Sequence, residues 1–137
     1  MSEYGFADGV PKSALRPYLS ATAIYNATPT LNTETPIDVS SIVPPTAKAV
    51  VAIFSLTNGA TATTLEIYTN AGETDANKKL VYAGVANQAM QDCFIIALDA
   101  TRKFYIKETG AAVATLIKWV AWFEGPGLIR PLGVSHL

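Results

Sequence analysis

Apolar and polar residues alternate in two short segments, Leu65–Thr69 and Lys103–Lys107. This period of two is typical of a strand with one buried and one wet face. Further short segments rich in Val, Ile, Thr, Tyr and Phe lie between Gly, Asn, Asp and Pro residues, and none has the period of a long helix. The pattern predicts eight strands: Ala21–Asn26, Thr35–Val39, Ala47–Leu56, Thr63–Thr69, Leu80–Ala83, Cys93–Leu98, Lys103–Lys107 and Val113–Phe123.

Three segments are apolar on both faces of the strand: Ala49–Phe54, Phe94–Leu98 and Leu116–Phe123. An antiparallel sandwich normally leaves the outer face of each sheet to water, so a second apolar face needs a cover. A terminal arm, a neighbouring subunit or both would supply that cover. The pattern therefore predicts a homo-oligomer.

The connections favour antiparallel pairing. Asn58-Gly59, Asp99–Arg102 and Thr109-Gly110 are turn signals of the hairpin type, and such links are too short for helical crossovers. Two longer loops, Asn70–Lys79 and Gly84–Asp92, are expected to be exposed tips. The prediction is an all-β fold, an antiparallel β-sandwich of jelly-roll type with about eight strands.

Both ends of the chain are predicted to be extended arms around one sandwich domain at 32–124. Residues 1–31 contain Pro11, Pro17 and Pro29, and the tail 125–137 has a flexible entry and apolar residues without a period. The entropic cost of ordering such arms is offset when they bury apolar side chains on neighbouring subunits. The candidate interface residues are Tyr4, Phe6, Tyr18, Leu19, Trp119, Trp122, Leu128 and Ile129.

Composition supports assembly and excludes several other functions. The 137 residues are 50% hydrophobic and only 15% charged, below the roughly 25% of an ordinary soluble domain. The formal net charge of −1, without clustered Lys and Arg, argues against nucleic-acid binding. The apolar runs are too short to cross a bilayer, and the first residues lack the pattern of a signal peptide, which predicts a cytoplasmic site of synthesis. The single cysteine, Cys93, is expected to be a buried thiol.

No catalytic centre, metal site or cofactor is predicted. His136 is the sole histidine and no CxxC or HxxxH spacing occurs, which argues against a nucleophile–base pair and a metal centre. Glu73 and Asp75 are interpreted as a solvated loop tip rather than a calcium site. A glycosidase would need two acids facing one groove. The candidate acids occupy expected turn or wet-face positions: Glu66, Asp92, Asp99 and Glu108.

The two tryptophans, Trp119 and Trp122, differ by three positions, so a regular strand would project them to opposite faces. One is then expected in the core. The other would face an arm, a subunit or a carbohydrate ligand.

The segment from Ile37 to Phe54, in which a polar strand leads through Pro44-Pro45 into an apolar strand, resembles the opening of small jelly-roll modules in virion proteins of tailed bacteriophages. The resemblance continues through Phe94–Leu98, Lys103–Lys107 and the last, Trp-containing strand. It implies a virion structural protein, assembled in the host cytoplasm and commonly trimeric. The first choice is a capsid cement or decoration protein bound to the major capsid protein. The alternative is a tail, fibre or adhesin-type module that recognises a receptor or carbohydrate.

Overall fold

The computed structural model describes residues 16–57, 62–73, 78–85 and 87–124, with side chains from residue 22 onward. Within these ranges no helix is present, and thus none long and apolar enough to cross a membrane. Their strands are β1 (Arg16–Ala27), β2 (Thr35–Asp38), β3 (Ala47–Leu56), β4 (Thr63–Tyr68), β5 (Lys79–Ala83), β6 (Met90–Ala97), β7 (Lys103–Thr109) and β8 (Thr115–Glu124).

The strands form two antiparallel four-stranded sheets. The first sheet has the order β1-β8-β3-β6 and the second sheet has the order β2-β7-β4-β5. This is the strand order of an eight-stranded jelly roll, in which two sheets enclose one core. The predicted all-β sandwich of jelly-roll type is confirmed.

Most connections cross from one sheet to the other. Asp99–Arg102 joins β6 to β7, and Thr109-Gly110 joins β7 to β8, so each links strands of different sheets. The expectation of hairpin links is wrong at both places, because a turn signal predicts a reversal of the chain and not the sheet in which the next strand pairs. Asn58-Gly59 lies outside the described residues.

The core lies between the sheets and follows the predicted alternation. In β4 and β7 the inward side chains, among them Leu65 and Ile106, are buried and alternate with less buried ones. Phe54, Phe104 and Trp119 have no exposed surface, and the Phe54 and Phe104 rings meet edge to face at 6.0 Å. Each such side chain stabilises the fold by about 1.5–3 kcal/mol.

A β-bulge on β8 sets the positions of the two tryptophans. Val51 pairs with Ala121 while the next residue, Ala52, pairs with Trp119, so Val120 is an extra residue on β8. Trp119 and Trp122 therefore project to the same side, with ring centroids 5.4 Å apart, and Trp122 packs against the core. The expectation of opposite faces is wrong, because alternation holds only along an unbroken ladder.

The first sheet reaches into the segment predicted as an arm. β1 begins at Arg16 rather than Ala21, and its pairing with β8 puts Arg16 opposite Trp122. Residues 16–27 of the segment 1–31 thus belong to the sheet. Residues 1–15 and the predicted tail 125–137 lie outside the described residues.

Candidate interaction surface

The outer face of the first sheet is largely apolar. Opposite residues on neighbouring strands project to the same face, so the register identifies its members. Ser55 donates a hydrogen bond to Gln91 here at 3.2 Å, and Lys118 is the charged residue that β3, β6 and β8 contribute. The apolar members, named the apolar outer face below, are Ala49, Val51, Ile53, Cys93, Ile95, Ala97, Leu116, Ala121 and Phe123. Several are only half-buried, so the second face of these strands remains partly open to solvent.

On β4 and β7 the outer face of the second sheet is polar and its groups pair with one another; we name this part the polar outer face. The Glu66 carboxylate lies 2.8 Å from the Lys78 ammonium and 3.9 Å from that of Lys107. Lys78 also sits 5.5 Å from the centre of the Tyr68 ring. Tyr68 is nearly buried and stacks on Tyr105, with centroids 6.2 Å apart. Aromatic packing and ion pairs thus complete this face within one copy.

Hydrogen bonds from the two tyrosine hydroxyls fix these rings. Tyr68 donates to Glu34 at 2.8 Å, and Tyr105 donates to Asp99 at 3.2 Å. Burial, followed by the bond to Glu34, raises the pKa of Tyr68 far above its ordinary range. Desolvation and the nearby Asp99 also raise the pKa of Tyr105. Both phenols therefore stay neutral donors at physiological pH.

Exposed large apolar side chains gather at one edge of the sandwich, where β5 and β6 end the two sheets. Among the described residues this class consists of Leu80, Tyr82, Val85, Met90 and Ile95. Tyr82 is 60% exposed and Ile95 is 56% exposed. Single exposed apolar residues are ordinary, whereas a concentration of them marks an interaction site. We name these five residues and the two strands that carry them the β5–β6 edge.

A cavity of about 160 Å³ lies between the sheets at the same edge. Its lining combines apolar side chains with polar groups, among them Thr69 and Lys79, and Lys79 is exposed. The residues that line it are Ile67, Tyr68, Thr69, Lys79, Ile95, Ile96 and Ala97. Apolar surface and a positive charge therefore lie side by side at the β5–β6 edge.

Cys93 is exposed on β6, so the prediction of a buried thiol is wrong. The apolar residues Phe94, Ile95 and Ile96 do flank it in sequence, but β6 is an edge strand. Only the inward side chains Phe94 and Ile96 pack against the core, and Ile95 is open. The apolar neighbours of Cys93 in the sequence predicted a buried strand. The outer face of β6, however, is buried only if a second sheet or a partner covers it.

The predicted interface residues fall into different parts of the molecule. Trp119 has no exposed surface, so its indole cannot contact another protein directly, and Trp122 is half-buried on the core. Tyr18 and Leu19 belong to β1, with side chains outside the described part of the structure.

Tyr4, Phe6, Leu128 and Ile129 lie outside the described residues altogether. The exposed residues of β5 and β6 were not among the predicted interface residues. The apolar run Leu80–Ala83, followed by Gly84, was the available signal. It indicated a strand, but nothing in it indicated an edge position.

The four candidate acids each serve a separate local contact. Glu66 is paired with lysines, Asp99 accepts from the Thr101 and Lys103 amides at 2.9 Å, and Asp92 accepts from the Cys93 amide. Glu108 is fully buried.

Glu108 points into the core at the end of β7. Its carboxyl accepts hydrogen bonds from the Val113 amide at 2.9 Å and from the Thr115 hydroxyl. Desolvation raises the pKa of Glu108, and the two hydrogen bonds oppose this in part. The carboxyl thus ties β7 to the start of β8.

The described residues include no group of three or more His, Cys, Asp and Glu placed to hold a metal ion. Glu73 stabilises its own loop, because its carboxylate accepts hydrogen bonds from the Thr69 amide at 2.8 Å and from the Asn70 amide at 3.2 Å. Asp75 lies outside the described residues.

Neither a protein-family model nor a curated protein sequence matches the chain. Among solved structures it is similar to the coat protein of tobacco streak virus, with a TM-score of 0.48 and 11% identity. The match covers 91% of this chain and 95% of that chain.

Proposed function

We propose that the protein is a virion structural protein that works by burying apolar surface against other subunits. Our first choice is a capsid cement or decoration protein, a homotrimer assembled in the host cytoplasm that contacts the major capsid protein. The observation that carries the proposal is the apolar outer face together with the β5–β6 edge, in a chain with only 15% charged residues.

Repetition by symmetry lets such a surface stabilise an assembly. A single copy gains little from a partly exposed apolar sheet, and the surface lowers its solubility. In a symmetric assembly the same surface is buried at every copy, and many weak contacts add up without any strong one. This function is mechanical and requires no catalytic group.

Strand pairing supports a role for the arms. Arg16 lies opposite Trp122, so the chain leaves the described sandwich at Arg16 and at Glu124 from one end of the first sheet. Segments 1–15 and 125–137 continue from there and carry Tyr4, Phe6, Leu128 and Ile129. We infer that these arms run over neighbouring subunits.

A second candidate is a receptor-binding or carbohydrate-binding module of a tail or fibre. Exposed Tyr82 favours it, because an open aromatic ring beside a loop is a platform on which a sugar ring can stack. Glycan binding that is lost in Tyr82→Ala, with the oligomer intact, would support this candidate.

The test of the first candidate is the solution mass of the full chain and of a shortened chain of residues 16–124, by size-exclusion chromatography with light scattering at several concentrations. We expect an oligomer that weakens on shortening, since the arms contribute buried area. The cut at residue 16 preserves β1, so both forms keep the complete sandwich. A monomer in both forms would overturn the assembly function.

A further inference from the structure

The two open edges of the sandwich differ in how they are protected. At one edge, β1 has two register irregularities and contains Pro17, and β2 has four residues and contains Pro36. Short strands, bulges and prolines prevent an edge from pairing with another chain. These features protect this edge from pairing with another chain.

The opposite edge carries none of these protections on β6. β6 pairs with β3 through eight consecutive residues without a register shift, and no other described strand pairs with it. It contains no Pro and no Lys, and Asp92 is its single charge. The exposed large apolar residues lie on β6, on the adjoining β5 and on the link between them. An apolar edge with a regular register and a single charge is a template for another strand.

We propose that β6 is the contact between two copies of this chain, paired antiparallel about a two-fold axis that passes at Phe94. The pairing joins the first sheets of the two copies into one continuous sheet. It goes beyond the proposed function: a closed trimer has no two-fold axis, so this contact would join copies that belong to neighbouring trimers.

Charge complementarity selects the second copy and the register. A two-fold axis through the sheet keeps opposite residues on the same face, so a residue always lies opposite itself at the axis. With the axis at Phe94, Asp92 lies opposite the partner's Ile96. Ile96 lines the same cavity as Lys79, so this register brings the carboxylate of one copy to the side of the sandwich where the ammonium of the other lies, twice by symmetry. An axis at Asp92 would oppose two carboxylates.

On the outer side, the same register puts Cys93 opposite the partner's Ile95. Both positions are exposed in one copy. Directly opposed residues have Cα atoms about 4.5–5.5 Å apart, which is within the range that a disulfide bridges. A disulfide between these two positions would therefore report the register.

The first experiment is a charge swap in the full chain, read by the dissociation constant of the two-fold contact from light scattering and sedimentation. Asp92→Lys and Lys79→Asp are each expected to raise that constant about tenfold, because each opposes like charges across the axis. The double variant is expected to restore it to within about threefold. Lys48→Asp, at an exposed site on the irregular start of β3, is the matched control and should change nothing.

The second experiment uses Ile95→Cys, a change at an exposed position that leaves the core intact. Mild oxidation is expected to yield a covalent dimer through Cys93 and the new thiol, and Thr46→Cys in a Cys93→Ser background should yield none. Circular dichroism confirms that the variants are folded.

Three results would overturn the proposal. One is a dimer whose affinity the swaps leave unchanged, another is a dimer without the cross-link. The third is a monomer in which an arm of the same chain protects the β6 amides from hydrogen exchange. A larger assembly that survives the swaps but weakens on arm removal would keep the proposed function and reject this contact.

Discussion

The two outer faces of the sandwich are built from the same strand geometry and differ in where their partners come from. On the polar outer face, Glu66 pairs with lysines and Tyr68 stacks on Tyr105, so the groups of one copy satisfy one another. The apolar outer face offers Val51 and Phe123 to the solvent and contains Lys118 as its charge. A face that pairs its own groups is complete in one copy. An apolar face gains stability only when another molecule covers it.

The largest expected difference between the two faces is in how much a substitution destabilises a single copy. Tyr68→Ala removes a nearly buried ring, its stacking and its bond to Glu34, and should lower the free energy of unfolding by about 3 kcal/mol. The counterpart Phe123→Ala, at a half-buried site, should cost less in the dissociated protein. Urea unfolding at low protein concentration measures both. A larger loss for Phe123→Ala would reverse the contrast.

The next effect concerns assembly. Val51→Lys puts a charge on the apolar outer face and should raise the dissociation constant of the oligomer about tenfold, or about 1.4 kcal/mol. Thr109→Lys, at a half-buried position of the polar outer face on β7, two strands from β5, is the matched control and should leave assembly unchanged. Equal effects of the two variants would show that assembly does not distinguish the faces.

A smaller effect is expected for the ion pair. Glu66→Gln leaves Lys78 and Lys107 without their carboxylate and should destabilise the fold by about 1 kcal/mol, since both Glu66 and Lys78 are mostly buried. Lys118→Gln on the apolar outer face should change stability by much less. Thermal unfolding of both variants measures the difference, and an equal or larger loss for Lys118→Gln would contradict the expectation.

The smallest expected effect is a pH dependence of stability, and it comes from Glu108 in the core rather than from either outer face. Burial raises the pKa of Glu108, so the folded state holds this proton more tightly than the unfolded chain does. Its contribution to stability is therefore fully present below the unfolded value near pH 4.3 and is lost as the pH rises through the folded pKa. Glu108→Gln should remove that decline, measured as urea midpoints across the pH range. An unchanged decline would assign it to other groups.

Local patterns were sufficient to predict the strands, because alternation and turn residues act over a few positions. Alternation placed Leu65, Ile67, Phe104 and Ile106 in the core, where the structure has them. Sheet membership was different: Asp99–Arg102 indicates a reversal equally well whether β7 joins the first or the second sheet. Long-range packing makes that choice, and no local residue encodes it.

The site was predicted less well, and the reasons are specific. The faces of Trp119 and Trp122 depended on the bulge at Val120, which lies in a run of apolar residues without any glycine to mark it. Cys93 looked buried because its neighbours are apolar, but β6 is at the edge of its sheet. Both errors concern where a strand sits among the others rather than whether it is a strand.

The pairing of β1 with β8 also affects how the protein folds during translation. Strand Arg16–Ala27 emerges from the ribosome long before its partner Thr115–Glu124, and β8 also separates β1 from β3 in the first sheet. The sheet therefore cannot close during most of synthesis, and contacts between residues so distant in sequence make folding slow. Until translation delivers β8, the apolar strand β3 can pair on one side only, with β6, and its other edge is exposed to aggregation.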